Sequence, residues 1–194
     1  MHRFFIRLFL IISVLSGFTQ EVRANDSDLV VCNRAFKVVI LGSSTAFGTG
    51  ATNYDSSWAG KFTAYMKRKN IQNEVYNLGI PGFTTYNNLR PIGYTPPPGR
   101  PSPVSGFCIT DAMALDPDAI IINMPSNDAI NDYSLVEQQA NFEAAIAIAD
   151  AANVPVWVTT TQPRNFLNAS QIANIQAMRT WILNRFGNKA VEFY

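Results

Sequence analysis

The feature that most constrains the fold is an apolar run that ends abruptly at a glycine. Residues 37–50 read KVVILGSSTAFGTG, and residues 38–41 are apolar without interruption. A half-buried strand would alternate with polar residues, so this run predicts a strand buried on both faces. Gly42, Ser43 and Ser44 follow it, and their small side chains favour a tight bend. The sequence therefore places a hydroxyl at the carboxyl end of a central strand, where open parallel sheets bind ligands.

The N-terminal residues 1–24 have the pattern of a secretory signal peptide. Arg3 precedes an apolar stretch at residues 4–18, which Arg7 interrupts. Ala24 then supplies the small residue that signal peptidase prefers. A retained membrane anchor is the alternative, but the stretch is shorter than the roughly 20 residues that a spanning helix needs. We expect cleavage, a secreted or periplasmic product, and no membrane span in the mature chain.

The remaining residues, 25–194, have the length of one domain. Hydrophobic residues make up 47% of the whole chain, which is enough for a sizeable core. The formal net charge is +1, and the lysines and arginines are scattered, which argues against nucleic acid as a partner. We therefore expect one monomeric domain whose partners are substrate molecules.

Two cysteines, Cys32 and Cys108, remain after the predicted cleavage. In an oxidising compartment they could form a disulfide between the segment before the first strand and the loop region around Cys108. Two separate buried thiols are the alternative. Neither cysteine has a histidine beside it in the sequence, so a catalytic thiol or a zinc site has no support. We expect neither a metal nor a cofactor.

Strand and helix patterns alternate along the rest of the chain. Asp55 or Ser56 is the predicted N-cap of one helix, and Ser134 and Glu137 form a capping box for another. Such alternation is typical of a parallel sheet with helices on both faces. The strands predicted after the first cover residues 74–78, 118–124, 154–160 and 190–194, and the predicted helices cover 55–69, 134–152 and 168–187.

Between residues 83 and 109 the sequence becomes irregular. Residues 94–106 read YTPPPGRPSPVSG and contain five prolines, which neither a helix interior nor a central strand accepts. We interpret this segment as a long surface loop. It could form a wall of a substrate cleft, or it could be an insertion without a function.

Residues able to carry chemistry follow three of the predicted strands. They are residues 42–44 (GSS), 77–82 (NLGIPG) and 126–128 (SND). Right-handed crossovers place all three loops at one edge of the sheet. This edge then holds a hydroxyl, a glycine N–H open to close approach and a side-chain amide. Acyl transfer needs such a set, because a nucleophile attacks a carbonyl carbon and preorganised donors stabilise the resulting oxyanion.

The motifs GSST, NLGIPG and SND, in this order, resemble blocks I, II and III of the SGNH (GDSL-type) hydrolases. The resemblance covers residues 37–194 and implies a flavodoxin-like three-layer α/β/α sandwich around a parallel sheet. It implies hydrolysis of carboxylic esters in acetylated carbohydrates, lipids or short acyl compounds. It further implies that Ser44 is the nucleophile that forms an acyl-enzyme. The oxyanion donors would be the N–H of Ser44, the N–H of Gly82 and the side chain of Asn127.

The sequence departs from this family's pattern in three places. Ser43 stands where the family usually has aspartate, and Pro125 stands where it usually has glycine. The family's C-terminal D-x-x-H, which supplies the general base and the residue that orients it, has no counterpart, since the sole histidine is His2. Asp128 and Asp132 lie near the site in sequence, but we expect Asp128 to hold its loop. We interpret the sequence as an esterase cut short before that block and inactive as given.

Two other interpretations stay open at this point. A natural relative without the base could serve as a carbohydrate- or acyl-binding module. Residues 42–50 could instead form a phosphate-binding loop, but they lack the G-K-[ST] ending of a P-loop and the spacing of a dinucleotide site. An in-frame D-x-x-H beyond Tyr194 would favour the enzyme over the binding module.

Overall fold

A parallel sheet runs through the part of the chain that the computed structural model describes, which is residues 34–124, 126–163 and 168–194. Its strands are β1 (Lys37–Gly42), β2 (Glu74–Asn77), β3 (Ala119–Asn123), β4 (Val156–Thr159) and β5 (Ala190–Val191). They lie in the order β2-β1-β3-β4-β5, and every neighbouring pair is parallel. Ala35–Tyr194 form one compact unit.

The connections between the strands are helical. The α-helices in the described ranges are α1 (Ser44–Phe47), α2 (Trp58–Lys69), α3 (Thr85–Asn88), α4 (Ile109–Ala114), α5 (Asn127–Ile130), α6 (Leu135–Ala151) and α7 (Ala169–Phe186). Short 3₁₀ helices cover Tyr54–Ser56 and Gly187–Lys189. The predicted parallel sheet flanked by helices is therefore confirmed.

The position of each strand follows from its sequence pattern. Every residue of β3 and β4 is buried, and β1 is buried from its second residue onward. These are the continuously apolar runs, as expected for strands covered on both faces. The EVYN sequence of β2 alternates instead between exposed and partly buried residues, and this strand lies at an edge of the sheet.

Successive side chains of the central strands point to opposite faces, and each face is covered by different helices. On one face the strands form a single core with α4, α6 and α7. On the other face lie the alternate residues, among them Ile40 and the fully buried Trp157, while α2 buries Phe62 and Met66. The residues that line the first core include Val39, Leu41, Ile120, Ile122, Ile109, Phe142, Met178 and Ile182.

One predicted helix cap is confirmed, and one is wrong. Ser134 and Glu137 form the predicted capping box, and Asn168 caps α7. The prediction of Asp55 or Ser56 as the cap of α2 is wrong, because those residues belong to a separate 3₁₀ turn. The N-cap of α2 is Ser57, whose Oγ accepts from the N–H of Gly60 at 3.0 Å.

The short helices α1, α3, α4 and α5 were not predicted. Each has only four to six residues, too few for a hydrophobic period to show in the sequence. The predicted signal peptide and Cys32 lie outside the described residues. Within the described ranges, no helix combines the length and the apolar character that crossing a membrane requires.

Candidate active site

The first strand delivers a serine to the carboxyl edge of the sheet. β1 ends at Gly42, Ser43 is the N-cap of α1, and Ser44 is the first residue of that helix. Ser43 is fully buried, whereas Ser44 is partly exposed. The helix stops after one turn because Gly48 adopts a φ of +100°, which is readily available only to glycine. The predicted bend is thus a one-turn helix that begins with the candidate nucleophile.

Two glycines allow α1 to lie against the ends of the strands. A Cβ atom at Gly42 would stand 2.5 Å from the Cβ of Ala46 and 2.7 Å from the carbonyl oxygen of Asn123. A Cβ atom at Gly79 would stand 2.8 Å from the same Ala46 methyl group. Real side chains do not approach so closely, so both glycines are required by the packing of a buried alanine.

The loop after β2 is tied to α1 by hydrogen bonds. The Nδ2 of Asn77 donates to the carbonyl of Ala46 at 2.6 Å, and its Oδ1 accepts from the N–H of Gly79 at 3.0 Å. From α3, the Nδ2 of Asn88 donates to the carbonyl of Gly42 at 2.9 Å. Gly82 lies in the exposed part of this loop with a φ of +87°, and a Cβ atom there would meet no atom within 4 Å. Its backbone is therefore open to close approach.

The side chain of Asn127 joins the three loops. Its Nδ2 donates to the Oγ of Ser43 at 2.9 Å and to the carbonyl of Phe83 at 2.8 Å. Ser43 is next to Ser44 in the chain, and Phe83 is next to Gly82. The structure therefore brings all three residues predicted for the site, Ser44, Gly82 and Asn127, to one region of the sheet edge.

A model of the GDSL-like lipase/acylhydrolase family matches residues 40–193. The chain belongs to this family. The match contains the three loops that the Asn127 amide joins, and it extends over all five strands of the sheet except the first residues of β1. No significant match was found among curated protein sequences.

Solved structures share the fold of this GDSL-like protein. A protein described as lipolytic and of the G-D-S-L family, from Desulfitobacterium hafniense, aligns with a TM-score of 0.59, 23% identity and coverage of 81% of this chain and 77% of its own. The psychrotrophic esterase EstA from a Pseudoalteromonas species aligns with a TM-score of 0.58, 17% identity and coverage of 81% and 77%. A GDSL-like lipase from Bacteroides thetaiotaomicron aligns with a TM-score of 0.57, 19% identity and coverage of 82% and 69%.

Asp128 fixes the loop after β3 to the loop after β2 in this GDSL-like protein. Its carboxylate is fully buried and accepts from the N–H of Thr85 at 3.1 Å and from the Oγ1 of Thr85 at 2.5 Å. Burial raises the pKa of Asp128 to about 7, and the hydrogen bonds from Thr85 offset only part of that effect. The contact agrees with the expectation that Asp128 holds its loop.

The contact between Asp128 and Thr85 continues into a buried polar network. The Oγ1 of Thr85 also accepts from the Nδ2 of Asn141 at 2.7 Å, and the Oδ1 of Asn141 accepts from the Nε of Arg90 at 2.5 Å. The sequence pattern did not indicate these partners. The only hint in the sequence was Asn141 itself, an amide in the alanine-rich segment that forms α6. This residue is fully buried.

Gln162, after β4, is a further polar residue near the candidate nucleophile Ser44 that the sequence pattern did not indicate. Its Nε2 donates to the Oγ1 of Thr45 at 2.5 Å, one residue beyond Ser44. Among the described residues, no group donates to its buried Oε1. The loop after β4 thus adds an amide to the edge at which the three family motifs meet.

The proline-rich loop at residues 94–106 is anchored beside α3. The N–H of Val104 donates to the carbonyl of Asn87 at 2.9 Å. The Nε of Arg100 donates to the carboxylate of Glu137 at 2.7 Å, and this bond lowers the pKa of Glu137 to about 2. The loop is therefore held next to the segment that carries Gly82. Its role as a wall of the cleft stays a prediction.

The described residues contain no histidine, because His2 lies outside them. Nor does any described group accept a hydrogen bond from the Oγ of Ser44. Of the two carboxylates near the site in sequence, Asp128 contacts Thr85, and Asp132 accepts from the Nε2 of Gln171 at 3.3 Å. The residues predicted as the nucleophile and the oxyanion donors thus lie within the described ranges, whereas no histidine that could serve as a general base does.

Cys108 is buried and has no disulfide partner among the described residues, and burial raises the pKa of its thiol. It donates to the Oδ2 of Asp111 at 3.0 Å. Because Cys32 lies outside the described residues, the choice between a disulfide and two separate thiols stays a prediction. No group of three or more His, Cys, Asp or Glu residues in the described ranges is arranged to hold a metal ion.

Proposed function

We propose that this protein is a serine ester hydrolase that acts through an acyl-enzyme at Ser44. The observation that carries the proposal is the position of the Asn127 amide, which binds the residue before Ser44 and the residue after Gly82. Membership of the GDSL-like lipase/acylhydrolase family supports ester hydrolysis. The substrates would be carboxylic esters of carbohydrates, lipids or short acyl compounds, met after secretion.

In the proposed reaction, the Oγ of Ser44 attacks the ester carbonyl carbon. The carbonyl oxygen becomes an oxyanion, which accepts hydrogen bonds from the N–H groups of Ser44 and Gly82 and from the amide of Asn127. For this, the Ser44 N–H and one Asn127 N–H exchange the Ser43 Oγ, which accepts from them in the structure, for the oxyanion. The bond to the alcohol then breaks, and the alcohol leaves with the proton of the Ser44 hydroxyl, which an external base or water carries to it. Water attacks the acyl-enzyme in a second step, releasing the carboxylic acid and restoring the Ser44 hydroxyl.

A serine hydroxyl attacks slowly unless a base removes its proton. Since the described residues contain no histidine, we expect this chain alone to show only the residual rate that oxyanion donors and substrate binding can supply. An external base of suitable pKa should therefore raise the rate, provided that the nucleophile and the donors are in place.

Rescue by imidazole tests this proposal directly. Hydrolysis of p-nitrophenyl acetate is measured as imidazole is increased, for the full chain and for the variant Ser44→Ala. We expect an imidazole-dependent rate in the wild-type chain that exceeds the rate in Ser44→Ala, which measures the reaction of imidazole with the ester itself. Equal rates in the two proteins would refute Ser44 as the nucleophile.

Labelling by a fluorophosphonate gives a second measurement of the same proposal. The structure of EstA was determined with monoethylphosphonate as its inhibitor. With imidazole present, we expect the probe to add to Ser44 and peptide mass spectrometry to locate the adduct there. Ser56→Ala, which removes an exposed serine, serves as the matched control and should keep the label. A label that persists in Ser44→Ala would contradict the assignment.

A non-catalytic carbohydrate- or acyl-binding protein is the second candidate. The observation in its favour is the absence of a histidine from the described residues. Such a protein would show no imidazole-dependent increment over Ser44→Ala, yet would bind acetylated sugars or acyl chains in a calorimetric titration. The two measurements together separate the candidates.

A further inference from the structure

Two phenylalanine rings meet beside Gly82, a residue predicted for the site. The rings of Phe83 and Phe107, here called the aromatic pair, lie edge to face, with their centroids 6.2 Å apart and their planes at 85°. Both side chains are partly exposed. Neither belongs to the core that α4, α6 and α7 form with the sheet, nor to the side chains packed against that core. The aromatic pair is thus apolar surface that this core does not account for.

The backbone places the aromatic pair next to the predicted site. Phe83 directly follows Gly82, and successive Cα atoms are about 3.8 Å apart. The carbonyl of Phe83 accepts from the Nδ2 of Asn127 at 2.8 Å, and the same nitrogen donates to the Oγ of Ser43 at 2.9 Å. Ser43 directly precedes Ser44. A chain of a few carbons attached to an ester carbonyl at Ser44 would therefore be long enough to reach the pair.

The proline-rich loop, which leads into the second ring of the pair, is fixed by two arginines. The Cζ of Arg90 lies 4.4 Å from the ring centroid of Tyr94, and the Cζ of Arg100 lies 4.0 Å from that of Tyr133. Arg100 also binds both carboxylate oxygens of Glu137, through its Nε at 2.7 Å and its Nη2 at 3.2 Å. A loop fixed in this way presents its ring before any ligand arrives, which lowers the entropy cost of binding.

We propose that the aromatic pair binds the acyl chain of the ester, so that the protein prefers longer acyl chains such as butyryl to acetyl. This inference rests on the proposed function. The acyl group stays bonded to the serine between the two steps of the reaction, whereas the alcohol must leave and water must enter. A fixed wall fits the group that stays. Burial of each additional methylene group is worth roughly fourfold in binding.

The preference for chain length tests the inference through catalysis. Imidazole-dependent hydrolysis of p-nitrophenyl acetate and p-nitrophenyl butyrate is measured, and the rate in Ser44→Ala is subtracted for each ester. We expect the wild-type chain to favour the butyrate roughly tenfold in kcat/KM, because two more methylene groups are partly buried. Phe107→Ala should bring this ratio close to one. Ile71→Ala is the control and should keep the ratio, since it removes an exposed apolar side chain between α2 and β2, at the opposite edge of the sheet.

Three results of this assay would overturn the inference. They are a wild-type ratio that survives in Phe107→Ala, a loss of equal size for both esters, and a dependence on Phe107 of the preference for hexyl acetate over ethyl acetate. The last result would place the alcohol, and not the acyl chain, at the aromatic pair. If Phe107→Ala does not fold, Phe107→Leu keeps an apolar side chain without the ring, and a ratio between one and the wild-type value is expected. The wild-type ratio in that variant would equally overturn the inference.

Binding of hexanoate decides the question where no hydrolysis is observed. The ¹⁵N-labelled full chain is titrated with sodium hexanoate, and the Kd is obtained from the shifts of its amide resonances. We expect Phe107→Ala to raise this Kd roughly fivefold and Ile71→Ala to leave it unchanged. If the wild-type chain hydrolyses neither ester but binds hexanoate in this Phe107-dependent way, the proposed function fails while the acyl-chain site stands. Without hydrolysis, equal Kd values in wild type and Phe107→Ala, or no binding at all, would overturn the inference.

Discussion

Between pH 5 and pH 8 the free energy of unfolding is expected to fall by roughly 3 kcal/mol through Asp128 alone, and Asp128→Asn should abolish this fall. The cause is burial, which raises the pKa of this carboxyl from 3.8 to about 7. In the unfolded chain the group returns to its usual pKa. The native state therefore holds the proton over a pH range in which the unfolded state has released it.

The sign follows from proton linkage. Because the native pKa of Asp128 is the higher one, stability is greatest below the usual pKa of 3.8 and declines until the pH passes about 7. Glu137 acts in the opposite sense at lower pH. Its hydrogen bond with Arg100 lowers its pKa to about 2, so its contribution is lost only as the pH falls below about 4.5. The window from pH 5 to pH 8 thus separates the two groups.

Urea titrations of the full chain at pH 5, 6, 7 and 8 measure this slope. Asp132→Asn is the matched control, since it removes an exposed carboxylate two positions beyond the end of the short helix that contains Asp128. We expect Asp132→Asn to keep the wild-type slope and Asp128→Asn to lose it. Identical slopes in all three proteins would show that the carboxyl of Asp128 is not held in the buried contact with Thr85.

The sequence was sufficient to predict the central strands and the edge that carries the site. Runs of consecutive apolar residues mark β1, β3 and β4, because a strand covered on both faces has few polar positions, and here they fall at the strand ends. The handedness of the crossovers then places the loops after three strands together. The hydrogen bonds of Asn127 join those loops, as the expected topology requires. The roles of Ser44, Gly82 and Asn127 stay predictions.

The network beneath the site could not be predicted, because it is formed by residues far apart in the chain. Asp128 and Thr85 are separated by 43 positions, and Asn141 and Thr85 by 56. Local rules worked where the partners are local, as in the capping box of Ser134. They failed at the start of α2, where neighbouring residues could all act as caps and the preceding 3₁₀ turn decides between them.

Gly42→Ala is expected to lower the free energy of unfolding by about 3 kcal/mol, the upper end of the usual cost of overpacking. The added methyl group would stand 2.5 Å from the Cβ of Ala46 and 2.7 Å from the carbonyl oxygen of Asn123. Both neighbours are fixed, one in the helix that begins with Ser44 and the other in β3. Relief requires α1 to move away from the sheet, which should also slow labelling of Ser44.

A double-mutant cycle distinguishes this clash from a general effect of losing a glycine. Ala46→Gly removes the nearer of the two neighbours. As a single substitution it should lower the free energy of unfolding. Combined with Gly42→Ala it should restore part of the stability that Gly42→Ala loses, with a coupling energy of about 1 to 2 kcal/mol. Gly99→Ala is the control: its φ of +78° causes strain, but no atom lies within 4 Å of the new methyl group. Additive effects of Gly42→Ala and Ala46→Gly in urea titrations would mean that the close approach of α1 to β1 does not require the glycine.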